Sequence, residues 1–219
     1  MSESVQTVVV TTGGAPFDAL AVDAIASADY IVAADGGLDH ARAAGVIPDV
    51  LVGDLDSVSA AGLEWATTHI PVQRHPADKA ATDTELALAC AAALRPRRVL
   101  LVAGRGDRLD HAIAALGALG ADCLAGVPAV EGWWGSDQVL IGRPRRPVEV
   151  AKPSGTTFSL LALHGTCQGV TISGSRWPLV DADLAPVVGI GVSNEVLDPP
   201  CRVTVSAGVV TVIIPGAQR

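Results

Sequence analysis

Short β-branched runs alternate with helical stretches through the first half of the chain, and acidic motifs recur where the runs end. Tyr30-Ile31-Val32-Ala33-Ala34 leads into Asp35-Gly36-Gly37, and Val50-Leu51-Val52 into Gly53-Asp54-Leu55-Asp56-Ser57. Val99-Leu100-Leu101-Val102-Ala103 leads into Gly104-Arg105-Gly106-Asp107-Arg108-Leu109-Asp110-His111, and Thr82-Asp83 opens a further helix. Strands alternating with helices make βαβ units and a parallel sheet. The carboxyl ends of such strands face one crevice, where open α/β sheets bind ligands. Carboxylates gathered there repel one another unless a hard cation holds them. Mg²⁺ takes oxygen ligands, commonly one or two carboxylates together with substrate phosphates. The pattern therefore predicts an enzyme acting on a Mg²⁺–nucleotide.

Strands are expected at Val5–Val10, Tyr30–Ala34, Val50–Val52, Val72–His75 and Arg98–Ala103. Helices are expected at Ala15–Ala26, Leu38–Ala44 (ended by Gly45), Ala60–His69, from Thr82 to Leu94, and Leu109–Leu119. Thr82 with Glu85 three residues on reads as a capping box. The last third changes character. Thr157–Leu163, Gly169–Ser173, Cys201–Ser206 and Val209–Ile214 are short strands separated by turn signals, which suggests a small antiparallel sandwich. Ser206-Ala207-Gly208 is expected to close a hairpin between the last two. The fold class is thus an N-terminal parallel-sheet, three-layer α/β domain at 1–143 and a C-terminal antiparallel β-sandwich at 144–219. Trp133-Trp134 receives no assignment.

Of the 219 residues, 49% are apolar and 17% charged, enough for a substantial core. The net charge of −8 argues against a nucleic-acid surface, which needs a basic stripe. The four cysteines, Cys90, Cys123, Cys167 and Cys201, form no CxxC pair and do not read as a disulfide scaffold; Cys90, on an apolar helix, reads as a small buried side chain rather than a ligand. No apolar run reaches the roughly 20 residues a membrane span needs, and no signal-peptide pattern opens the chain. A cytoplasmic protein without a membrane partner is expected.

Asp54 and Asp56 point the same way if their segment is extended, which makes a cation site; the plainer alternative is a solvated acidic loop. The glycines of Asp35-Gly36-Gly37 allow positive φ and close approach of a ligand, or serve only the turn. Thr82 caps a helix and Asp83 complements its dipole, at a helix start that also suits phosphate. Arg108 or Arg105 could clamp phosphate oxygens, or Arg108 could pair with Asp110 at the surface. His40, His75 and His111 form no zinc pattern; Gly104-x-Gly106 is not a dinucleotide fingerprint, and no GxxxxGK occurs. By spacing alone Trp177 reads as core, with a flat stacking surface for an aromatic ligand as the alternative.

Taken in order, the motifs resemble the thiamine pyrophosphokinase family. They are Asp35-Gly36-Gly37 with His40, Ile47-Pro48-Asp49, Gly53-Asp54-Leu55-Asp56-Ser57, Lys79 with Thr82-Asp83, Arg108-Leu109-Asp110-His111, Trp177-Pro178-Leu179 and Ser193-Asn194-Glu195. The resemblance implies a homodimer with the thiamine site shared between subunits. It implies transfer of a pyrophosphoryl group from ATP to the thiamine hydroxyl, releasing AMP. On the same resemblance Asp54, Asp56 and Asp83 hold Mg²⁺, and Asp110 is counted with them among the catalytic residues, lining the phosphate and substrate pocket with Asp35. Asp35, Gly36, Gly37, Thr82 and Arg108 serve ATP and its phosphates; Trp177 stacks on the thiamine pyrimidine, and Ser193 and Asn194 shape its pocket.

The chain departs from the family pattern twice. Lys-Asp-x-Thr-Asp becomes Lys79-Ala80-Ala81-Thr82-Asp83, and the Asn expected four residues after His111 is Ala115. These departures keep open a pyrophosphokinase for another heterocyclic alcohol, such as a hydroxymethylpterin, and a nucleotide-binding homologue without catalysis. Asp54-Leu55-Asp56-Ser57-Val58 also matches the motif of haloacid-dehalogenase-type phosphatases, which carry it after the first strand rather than the third.

Overall fold

The computed structural model describes residues 5–104, 106 and 108–216. The chain forms two compact units, Met1–Ser136 and Asp137–Arg219. In the first, the strands are β1 (Thr7–Thr12), β2 (Tyr30–Ala34), β3 (Val50–Gly53), β4 (Val72–Arg74), β5 (Arg98–Ala103) and β6 (Ala129–Trp134). They stand in the order β6-β5-β1-β2-β3-β4, and every pair is parallel. Val8, Val9, Val10, Leu51 and Val99–Val102 are fully covered, because helices close both faces of such a sheet.

The crossovers are α1 (Ala19–Ile25), α2 (Gly37–Ala43), α3 (Ala60–His69), α4 (Asp83–Ala93) and α5 (Leu109–Ala118). Ala21 and Ile25 of α1 pack with Val9, Leu100 and Val102, and Leu38 and Ala66 of α2 and α3 with Ala33 and Leu51. The register places those strand residues on one face. The chain runs outward from β1 to β4, then returns past β1 to β5. The return helix α4 packs against β1, β2, β3 and β5, so its first turn stands at the carboxyl ends of β2 and β3. That crossover is what brings Asp83 to the acids that follow β2 and β3.

Most strands and helices fall where the sequence puts them, with two informative shifts. Helix α1 starts at Ala19 rather than Ala15: Pro16 disfavours the helical region at Ala15, and Asp18, extended at φ −72° and ψ 154°, is the residue from which the helix starts. Strand β1 starts at Thr7 rather than Val5; the Asp29 carboxylate takes the Gln6 and Thr7 amides at 2.9 and 2.8 Å. Strand β6, which holds Trp133-Trp134, is unforeseen. Its Gly132 leaves the space that the Trp134 ring and Leu119 fill, so the strand reads poorly as a strand.

The second unit holds β7 (Asp137–Gly142), β8 (Val148–Val150), β9 (Thr157–Leu161), β10 (Cys167–Ser173), β11 (Leu179–Leu184), β12 (Gly191–Glu195), β13 (Cys201–Thr204) and β14 (Val210–Ile214). Two antiparallel sheets form, β12-β9-β14-β7 and β11-β10-β13-β8. Phe158, Leu160, Ile172, Val203 and Val212 from both sheets share one core. The expected hairpin of β13 and β14 does not form. The two strands lie in different sheets, and Ser206-Ala207-Gly208, with Gly208 at φ +91°, carries the chain between them. All four cysteines are free thiols. Among the described residues no helix is long and apolar enough to cross a membrane.

Candidate active site

Asp35, Asp54 and Asp83 converge, each offering a carboxylate oxygen within 4.8 Å of the others. Asp35 follows β2 directly, Asp54 follows β3, and Asp83 is the first residue of α4. Gly53 makes the approach possible: a Cβ there would meet Asp83 Oδ1 at 3.0 Å and the Asp35 Cβ at 3.2 Å. The Asp54 amide donates to Asp83 Oδ1 at 3.1 Å, which ties α4 to the end of β3. Lys79 Nζ donates to Asp54 Oδ2 at 2.6 Å and lies 3.1 Å from Asp83 Oδ1.

The electrostatics follow from burial and pairing. Burial pushes the Asp35 carboxyl up, with the Ser57 hydroxyl working against it. Its Oδ1 is buried and has no hydrogen-bond partner. The hydrogen bond from Lys79 holds the Asp54 carboxyl below its usual value, and Asp54 in turn holds the ammonium above its own. The three acids and one lysine leave a surplus of negative charge. An orphaned buried carboxylate oxygen within an all-oxygen donor set fits a hard divalent cation.

Asp56 is not in this cluster. Leu55 adopts φ +71° and buries its own side chain, so the segment is not extended and the alternation expected for Asp54 and Asp56 does not operate. Asp56 is exposed, its Oδ1 accepting from the Ser57 hydroxyl at 2.9 Å. Gly36 and Gly37 also differ from expectation. The positive φ (+47°) belongs to Asp35, while Gly36 is right-handed; Gly37 is required because a Cβ would collide with the Thr11 carbonyl as α2 packs on β1.

Thr82 forms the expected capping box with Glu85: its Oγ1 accepts from the Glu85 amide at 3.2 Å, and Glu85 Oε2 takes the Thr82 amide at 2.8 Å. Arg108 and Asp110 make a two-pronged pair at 3.0 and 2.7 Å, with both side chains about two-thirds exposed (67% and 65%). The guanidinium holds the Asp110 carboxyl well below the usual carboxylate range. Arg105 lies outside the described residues, as does Asp107. Ala115 is buried on α5, where an Asn would need a polar partner.

In the second unit Trp177 is 55% exposed, which overturns its reading as core. Asn194 is buried and grips its backbone, accepting from the Trp177 amide at 3.2 Å and donating to its carbonyl at 2.7 Å. Arg176 lies over the indole at 5.0 Å, leaving the opposite ring face for another flat group. Ser193, at φ +59°, is exposed beside it. Trp177, Ile190, Val192, Ser193 and Asn194 line a hollow of about 170 Å³. Sequence reasoning gave no role to Lys79 or Gly53; the i,i+4 spacing of Lys79 and Asp83 across a helix start was the available signal.

Carboxylates gathered at the carboxyl ends of a parallel sheet stand in the crevice where α/β proteins of this class bind their ligands. The thiamin pyrophosphokinase catalytic-domain model matches residues 22–122, and the thiamin pyrophosphokinase vitamin B1 binding-domain model matches residues 146–210. The chain belongs to the thiamin pyrophosphokinase family. Solved relatives share the fold over most or all of their length. The Bacillus subtilis thiamine pyrophosphokinase superposes with a TM-score of 0.82 at 19% identity, covering 97% of this chain and 100% of that one. The Enterococcus faecalis family protein gives 0.81 at 25% identity with the same coverage, and the Candida albicans enzyme 0.78 at 15%, covering 96% and 89%. No curated protein sequence matches the chain.

Proposed function

We propose that this chain moves a pyrophosphoryl group from Mg²⁺-bound ATP to the hydroxyl of thiamine, using the Asp35–Asp54–Asp83 cluster as its metal-binding edge. The observation that carries the reading is the convergence of those acids inside the stretch matched by the catalytic-domain model. Asp54 and Asp83 would hold the ion and Asp35 would offer its unpaired oxygen, while Asp56 stands exposed outside the cluster. When bound, Mg²⁺ neutralises polyphosphate charge as the bond to AMP breaks. The remaining work is positioning. Gly37 lets α2 pack on β1 and so fixes the turn after Asp35, and Arg108 turns one edge of its guanidinium to Asp110 and keeps Nη1 for phosphate oxygen. Thr82 serves the phosphate end indirectly, by fixing the start of α4.

Trp177 stacks on the thiamine ring, with Asn194 holding the indole in place and Ser193 at its rim. A hollow of about 170 Å³ is smaller than the roughly 300 Å³ at which ligand pockets begin, so a further wall is required. Val180, Val187, Ile190 and Leu197 are exposed apolar side chains in the same unit, and a second copy of the chain supplies the wall as a homodimer.

The test is incubation with ATP, Mg²⁺ and either thiamine or a hydroxymethylpterin. The reading predicts AMP and thiamine diphosphate in equal amounts. AMP formed only with the pterin would reassign the acceptor, ADP would indicate single-phosphoryl transfer, and no nucleotide turnover would leave a binding protein.

A further inference from the structure

The reaction as described gives Lys79 nothing to do, yet its ammonium occupies the heart of the acidic cluster. Nζ bonds Asp54 Oδ2 at 2.6 Å and faces Asp83 Oδ1 at 3.1 Å, and the side chains of Lys79, Asp54 and Asp83 are only 14%, 14% and 23% exposed. The oxygens it engages belong to the two acids best placed to ligate a metal. An ion ligated through those same two oxygens, Asp54 Oδ2 and Asp83 Oδ1, would compete with the ammonium for them.

We infer that Lys79 is an internal counter-cation which a divalent ion must displace from Asp54 and Asp83, and that the displaced ammonium then pairs with the phosphate oxygens the nucleotide brings. This rests on the metal reading of the same cluster. The lysine gives the metal-free site a cation, so the acids stay together without Mg²⁺. It also makes free metal a poor ligand, because ejecting Nζ into water without a new anionic partner loses two charged contacts. The nucleotide restores such a partner. Metal and nucleotide are thereby coupled through one side chain, and the coupling is reciprocal.

The test uses Mn²⁺ alone, titrated into the full chain and into Lys79→Met and Lys79→Arg, with free Mn²⁺ read by electron paramagnetic resonance. Lys79→Met is expected to bind Mn²⁺ about tenfold tighter than the parent, because a competing charge is gone, and Lys79→Arg to stay near the parent. A non-hydrolysable ATP analogue should then reduce the difference between Lys79→Met and the parent to about threefold or less. The Mn²⁺-dependent rise in Tm should be larger in Lys79→Met than in the parent, a readout that holds even where the metal-free variant is partly unfolded. Equal Mn²⁺ affinities in parent and Lys79→Met overturn the counter-cation role and leave the metal reading standing. A difference that the analogue does not narrow overturns the transfer of the ammonium to phosphate. Mn²⁺ bound by neither protein overturns the metal reading and this inference with it.

Discussion

The acidic cluster draws Asp35, Asp54 and Asp83 from three distant stretches of chain, whereas the Trp177 hollow is assembled on β12 and the short segment before β11. The cluster is mostly covered, internally cross-linked by Lys79 and the Asp54 amide, and pinned by a glycine that lets two acids crowd β3. The hollow is small and open, its lining mixes Ile190 and Val192 with Ser193 and Asn194, and its one buried polar group, Asn194, is spent on holding Trp177. Charge needs a rigid frame, since carboxylates held loosely would move apart; the parallel sheet and the return helix α4 supply it. A flat apolar contact needs only one ring face and something to close over it. The difference teaches that one unit carries a site with its own geometry, while the other carries part of one.

The largest way to break that contrast is Asp54→Ala. Loss of the best-held carboxylate should lower turnover by about a thousandfold with the fold intact, as removal of a preorganised charge group does. Unchanged steady-state turnover would remove Asp54 from the metal reading. Trp177→Ala should raise the KM for thiamine about tenfold, the scale of one lost aromatic stack, and leave the KM for ATP within about twofold. Equal rises for both substrates would reject stacking. Thr82→Ala removes a cap, not a ligand, and should reduce unfolding free energy by about 1 kcal/mol in urea. A wild-type stability combined with a large rise in the KM for ATP would instead make its hydroxyl a phosphate contact.

The smallest effect belongs to His164 in the second unit. Burial, with Arg143 nearby, depresses its pKa, and its Nε2 lies 3.0 Å from the Thr211 hydroxyl. The unfolded chain therefore binds this proton more readily than the folded one. The neutral ring's contribution is complete above the unfolded value of about 6.5 and is lost as pH falls through the lower folded value. Urea melts at pH 7.5 and 5.5 should show a smaller drop in His164→Gln than in the parent; parallel curves would exclude a share for His164.

Strand-end acids were legible because a parallel sheet converts their position in sequence into position in space. Asp83 was legible as a helix start, but its meeting with Asp35 and Asp54 depends on where α4 crosses the sheet, which no local pattern carries. Asp56 misled because period-two alternation assumes extended backbone, and Leu55 at φ +71° breaks it. Trp177 misled for the opposite reason: large aromatics are usually buried, and only the surrounding exposed residues show that this one is not. The β13–β14 turn looked like a hairpin because local turn chemistry is the same whether a chain folds back or changes sheet. Strands β6, β7, β8, β11 and β12 went unread; β6 carries Gly132 within the parallel sheet, and most of the others are short or carry polar and glycine residues that the sandwich tolerates at its surface.

The central claim is that one divalent ion sits among the carboxylates after β2, after β3 and at the start of α4. Crystals grown with MnCl₂ and a non-hydrolysable ATP analogue, measured at the manganese absorption edge, locate that ion directly. The account predicts an anomalous peak at about 2.2 Å from carboxylate oxygens of Asp54 and Asp83. A peak coordinated by neither residue, with the nucleotide bound, would contradict it.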